Sequence, residues 1–135
     1  MDQITSFIHR YLPFLLDNEV YDVTHAEEST VNGGDSLVEF ASDSLHFRFF
    51  TDRGQLFLDL RPGTSRREND WYSIDLIRRL FTGDREESGL MDPGYAEFIR
   101  TRLADVEKRV SPAEWPHTEK ALKDIKHKRS EEMFG

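Results

Sequence analysis

Apolar positions recur every three to four residues at the start of this chain, alternate in its centre, and return to the longer period in its second half. Set against the 3.6-residue period of a helix and the 2-residue period of a strand, that order is helix, then strands, then helices. Ile4, Phe7, Ile8, Tyr11, Leu12 and Leu15 form the first stripe, with Asp2 placed to cap the opening turn. Pro13 interrupts it: a proline inside a helix removes a backbone hydrogen bond and costs about 3 kcal/mol, so a break is predicted there. Val20 to Ala26 reads as a strand, and Glu27 to Asp35, with Asn32-Gly33-Gly34, as a turn or flexible loop.

The centre carries the clearest pattern. Leu37 to Ala41, Leu45 to Thr51 and Gln55 to Arg61 are short β-rich runs separated by Ser42-Asp43-Ser44 and Asp52-Arg53-Gly54, which predicts an antiparallel meander. Register follows from gathering the apolar residues on one face, since a one-residue slip turns every side chain over. Pairing Phe49 with Leu58, Phe47 with Leu60, Val38 with Phe47 and Phe40 with Leu45 achieves this. The other face then holds Glu39, His46, Arg48, Phe50, Phe57, Asp59 and Arg61.

Trp71, Ile74, Ile77, Leu80 and Phe81 mark a second amphipathic helix stopped by Gly83, and Asp84 to Met91 a charged loop. Asp92-Pro93 supplies a cap and a first-turn proline for a helix carrying Tyr95, Phe98, Ile99, Leu103, Val106 and Val110. Ser111-Pro112-Ala113-Glu114 resembles a capping box, but Pro116 limits what can follow it directly. Ala121, Leu122, Ile125 and Met133 leave the segment 117–135 a narrow stripe, expected as a surface-docked helix that frays. The expected fold is therefore α+β: one domain over 1–135, with a largely antiparallel sheet of about four strands and three to four helices packed mainly on one face. Its core is predicted to contain Val38, Phe40, Phe47, Phe49, Leu58, Leu60, Trp71, Ile74, Ile77, Phe98, Ile99 and Val106.

Composition narrows the chemistry. The 135 residues include ten Phe, two Trp and four Tyr, enough large apolar side chains for a core without disulfide or metal staples. Cysteine is absent, which excludes thiolate zinc sites, iron–sulfur clusters, disulfides and cysteine nucleophiles. No basic segment followed by an apolar one opens the chain, and no apolar run approaches the roughly 20 residues that span a bilayer, so a cytoplasmic protein without membrane contact is expected.

The net charge of −8 disfavours nucleic acid and favours basic partners. Its distribution is more telling: from Asp17 to Asp43 the chain carries eight acidic residues and no Lys or Arg. Asp17, Glu19, Asp22, Glu27, Glu28 and Asp35 are thus candidates for a surface that receives a basic protein, against the plainer reading of a solvated strand edge and loop. Phe50 and Phe57, opposite each other on the outer sheet face, are either covered by a helix or serve as anchors for that partner.

Five histidines, at 9, 25, 46, 117 and 127, stand in no metal-ligand spacing, and no nucleotide or nucleophile motif is present, so neither a cofactor nor a metal is expected. His46 alone invites an enzymatic alternative. The predicted register sets it between Glu39 and Arg61, with Asp59 nearby, and a carboxylate beside an imidazole raises its basicity, as acid–base chemistry in a small hydrolase requires. The stronger reading is the plainer one: alternating polar residues on an antiparallel sheet are what a solvated outer face looks like.

The stretch from Ser42 to Gly83, S-D-S-L-H-F-R-F-F-T-D-R-G-Q-L-F-L-D-L-R-P followed by N-D-W-Y-S-I-D-L-I-R-R-L-F-T-G, resembles a pattern of small bacterial proteins, some of them similar to immunity proteins of polymorphic toxin systems. The resemblance implies a cytoplasmic α+β protein that binds and blocks a cognate toxin; the acidic surface, read separately, suits a nuclease, whose substrate groove must be positive. It carries over no catalytic residue.

Overall fold

A computed structural model describes residues 2–17, 19–28 and 35–134. Helix α1 (Gln3–Tyr11) opens where predicted, its Asp2 carboxylate accepting from the Thr5 N–H at 2.7 Å. It ends before Pro13, after which Pro13–Leu16 continues as a single 3-10 turn. Five strands follow, β1 (Asp22–Glu28), β2 (Ser36–Ala41), β3 (Leu45–Asp52), β4 (Gln55–Pro62) and the two-residue β5 (Tyr72–Ser73). They pair antiparallel in chain order, so β1 and β5 are the sheet margins. Helices α2 (Ile74–Thr82), α3 (Pro93–Arg109) and α4 (Trp115–Phe134) complete the α+β fold. Most of the loop expected between Glu27 and Asp35 lies outside the described residues.

The hairpin of β3 and β4 has the predicted register, Phe47 opposite Leu60 and Phe49 opposite Leu58. Arg53 and Gly54, at φ 53° and 79°, make the left-handed turn that a two-residue hairpin connection needs. The hairpin of β2 and β3 differs from expectation by two residues: Phe40 lies opposite Phe47 and Val38 opposite Phe49. The cause is local. Ser42 pairs with Leu45 across the turn, its N–H donating to the Leu45 carbonyl, while its Oγ accepts from the N–H groups of both Ser44 and Leu45. A shift of two leaves every side chain on its predicted face but changes its neighbours.

On one face, Phe40, Phe47, Phe49, Leu58 and Leu60 are fully buried against Ile4 and Ile8 of α1, Ile74 and Ile77 of α2, and Ile99 and Val106 of α3. Val38 is only half-buried at the margin of this core. Trp71 is a correction: it precedes α2, and Tyr72, opposite Leu60, takes the core side, so Trp71 falls on the reverse of the sheet. Two cap signals in the second half hold, with the Asp92 carboxylate accepting from the Tyr95 N–H at 2.8 Å and Gly83 closing α2 at φ 77°, whereas the Ser111–Glu114 capping box does not form: the Ser111 carbonyl accepts from the Trp115 N–H and α4 begins only at Trp115.

Helix α4 starts earlier than Pro116 suggested, because a proline in the first turn lacks only an N–H that has no helical partner anyway. Its last turns are tied to α2. Arg129 donates to the buried Asp75 carboxylate at 2.8 Å, and Arg79 donates twice to Glu132, at 2.9 and 3.1 Å.

Candidate functional site

All four helices contribute to the core, which leaves the outer sheet face and the β1 margin as the regions where chemistry-bearing side chains stand together. Every residue of β1 is exposed. Its pairing with β2 puts Asp22, His25 and Glu27 on the outer face, opposite Ala41, Glu39 and Leu37, and Glu28 on the other. Asp17 and Glu19, just before β1, are also exposed. Asp17 accepts from the Glu19 N–H at 3.0 Å and Asp35 from the Arg53 N–H at 3.2 Å, so both carboxylates also shape the backbone. Glu27 meets His25 at 3.2 Å. Among the described residues, none of the six predicted acids forms an ion pair with Lys or Arg.

Phe50 and Phe57 stack at 5.2 Å between ring centroids, nearly parallel, outside the core that the helices cover. Phe50 lines a cleft of about 710 Å³ together with Leu37, Glu27, Glu28 and Asp35. The structure thus brings Glu27, Glu28, Asp35 and Phe50 into one place. Asp17 and Glu19 lie at the other end of β1, and Asp22 and Glu19 line a separate hollow of about 580 Å³ beside Ser44 and Arg66.

A second cluster on this face was not foreseen. Trp71, 8% exposed, is held between two guanidinium groups, with Arg61 Cζ 4.2 Å and Arg48 Cζ 4.4 Å from its ring centroid. Arg48 is ion-paired twice, donating to Asp59 at 2.9 Å and to both Glu68 oxygens at 3.0 and 3.2 Å. Burial pushes the Asp59 carboxyl above the usual range, with Arg48 opposing the shift. The outward alternation of Arg48, Asp59 and Arg61 was visible in the sequence, but the helical spacing of Trp71 with Ile74 concealed its place among them. The sign that would have corrected this is Ser73, a residue type favoured at helix N-caps, which stands at that position of α2 and so begins the helix after Trp71.

His46 lies at the edge of this cluster, 6% exposed. The two-residue difference in register places it opposite Ala41 and sets Glu39 opposite Arg48. Arg61 Nε donates to His46 Nδ1 at 3.1 Å, so that nitrogen is an acceptor and the ring is neutral. Burial, then the charges of Arg61 and Arg66, lowers the His46 pKa to about 4, a shift that hydrogen bonding to the Gly63 backbone only partly offsets. Neither Glu39 nor Asp59 is hydrogen-bonded to the ring, so the carboxylate–imidazole pair of the acid–base alternative is not formed.

No group of three or more His, Asp or Glu among the described residues is arranged to hold a metal ion, and no described helix is long and apolar enough to cross a membrane. Compared with protein-family models, curated proteins and solved structures, the chain matches none.

Proposed function

We propose that this chain is a non-catalytic protein-binding domain that acts in the cytoplasm, and that, as the resemblance of Ser42 to Gly83 implies, it neutralises a cognate bacterial toxin by covering it. The observation that carries the reading is β1, seven consecutive exposed residues at the sheet margin whose acids pair with no Lys or Arg among the described residues, Glu27 meeting only His25. Clustered charge of one sign steers a complementary partner and rejects like-charged ones, but contributes mainly to on-rate and specificity. Affinity needs a desolvated anchor, and the stacked pair of Phe50 and Phe57, beside Glu27 and Glu28, is apolar and uncovered by the core. A basic partner such as a nuclease, whose substrate groove must be positive, would be blocked by occlusion without chemistry. The His46 hydrolase alternative has less support, because the imidazole lone pair is occupied by Arg61 and no carboxylate orients the ring.

The test is association kinetics against the cytotoxic domains encoded beside its gene, with Asp22→Lys, Glu27→Lys and Glu28→Lys combined in one variant. The reversals should slow association and flatten its dependence on salt, while Phe50→Ala speeds dissociation. Unchanged on-rate and salt dependence in a variant of native stability would remove the acidic edge from the proposal.

A further inference from the structure

Away from the stacked pair of Phe50 and Phe57, two arginines of the outer face share one concavity. His46 of β3, Arg61 of β4 and Arg66 of the following loop line a cavity of about 350 Å³, with Glu39 and Thr24 on its other wall. Arg61 is fixed in place by Trp71 beneath its guanidinium, by its Nε bond to His46 and by a longer contact of Nη1 with the Arg67 carbonyl at 3.5 Å. Arg66 donates only to the backbone carbonyls of Gly63 and Ser65.

Among the described residues neither guanidinium has a carboxylate within ion-pair distance, in contrast to the neighbouring Arg48. The charge on Arg61 is held where burial disfavours it, and its pKa is lowered accordingly, with Glu39 only partly opposing the shift. Two guanidinium groups facing one concavity without a counter-ion match an oxyanion, because the planar fork bonds two oxygens at once and an immobilised fork loses little entropy in doing so.

Glu39 discriminates among oxyanions. A carboxylate on the wall repels a fully deprotonated ligand such as sulfate or acetate. It accepts a hydrogen bond from a phosphate group that still carries a proton, as phosphate esters do near their second pKa of about 6. We infer that the cavity between Arg61, Arg66 and Glu39 binds a phosphate group, with both arginines donating to its oxygens and its remaining hydroxyl donating to Glu39. His46 serves as a positioning residue, since its Nδ1 orients Arg61.

The experiment follows the His46 ring and the arginine Nε–H signals of the full chain by NMR at pH 6, at ionic strength held constant with chloride. It uses inorganic phosphate, glycerol 3-phosphate, sulfate and acetate as probes. Saturable shifts at His46, Arg61 and Arg66 are expected with both phosphates, and the His46 pKa should rise from about 4 because bound negative charge favours the imidazolium. Tighter binding of the ester assigns the site to a phosphomonoester, and equal binding assigns it to free phosphate. Arg66→Gln, at an exposed position that leaves the fold intact, should weaken binding about tenfold, the equivalent of one charge-assisted hydrogen bond. Glu39→Gln should bring sulfate up towards phosphate. Absence of a saturable shift, undiminished binding by Arg66→Gln, or sulfate binding as tightly as phosphate to the unmodified chain would overturn the inference.

Discussion

The two faces of this sheet are built from the same strands and differ in almost everything else. On the covered face, Phe47 and Phe49 run nearly parallel at 6.3 Å within a core closed by helices, and the organising force is removal of apolar area from water. On the open face, order comes from directional contacts: Trp71 between two arginines, Arg48 between Asp59 and Glu68, Arg61 on His46. A sheet face without helices is here ordered by one aromatic ring on which the charged side chains lie. Apolar burial is concentrated on one side and directional polar contacts on the other, and each can be perturbed separately.

The largest effect should come from the covered face. Phe47→Ala removes a fully buried ring and is expected to cost about 3–5 kcal/mol in urea unfolding, enough to threaten the fold. Phe50→Ala, on the opposite face of the sheet and half-buried, should cost well under half of that. Equal costs would dissolve the distinction between the faces.

Trp71→Ala tests whether the open face has a core of its own. It removes a nearly buried ring and two cation–π contacts, each worth about 0.5–2 kcal/mol, so a loss of about 2–3 kcal/mol is expected. The same change should release Arg61, visible as greater mobility of its Nε–H in NMR relaxation. If stability fell without that release, the ring would be mere filling.

The anchor of α4 ranks next. Asp75→Asn leaves Arg129 without its carboxylate in a partly buried place, and a loss of about 2 kcal/mol is expected, with faster amide exchange in the last turns of α4 but not in β3.

The upper part of the acid limb of stability reports on the open face. His46 has a pKa of about 4 in the fold against an ordinary value of 6.5, so between those values the unfolded chain binds a proton that the folded one does not. Stability should therefore be fully retained above pH 6.5 and fall as pH drops towards 4. In His46→Gln that segment should flatten, measured as the difference between the two pH–stability curves. The smallest effect is expected from the triple reversal of Asp22, Glu27 and Glu28, which should change stability by no more than about 0.5 kcal/mol because all three are exposed and have no Lys or Arg partner.

Much of this fold was legible from spacing and punctuation. Asp2, Pro13, Gly83 and Asp92-Pro93 mark helix ends by chemistry that acts within one turn, and the structure places a boundary at each. Alternation over β3 and β4 sorted their side chains between the two faces correctly, because strand geometry alone turns successive residues to opposite sides. The candidate site was legible only in part. The exposure of β1 and the stacking of Phe50 on Phe57 follow from the pattern, but the partners of His46 do not, since a two-residue register shift keeps the hydrophobic pattern intact while exchanging Glu39 for Ala41.

Local features were thus written along the chain: which residues are helical or extended, and which strand residues face the core. Long-range contacts were not: Trp71 on the reverse face, Arg61 on His46, and Asp75 joined to Arg129 across 54 positions of chain came only with folding. The physical reason is that apolar burial is non-directional and survives many pairings, whereas ion pairs, cation–π contacts and hydrogen bonds depend on which two groups meet, and that is settled only when the whole chain has packed.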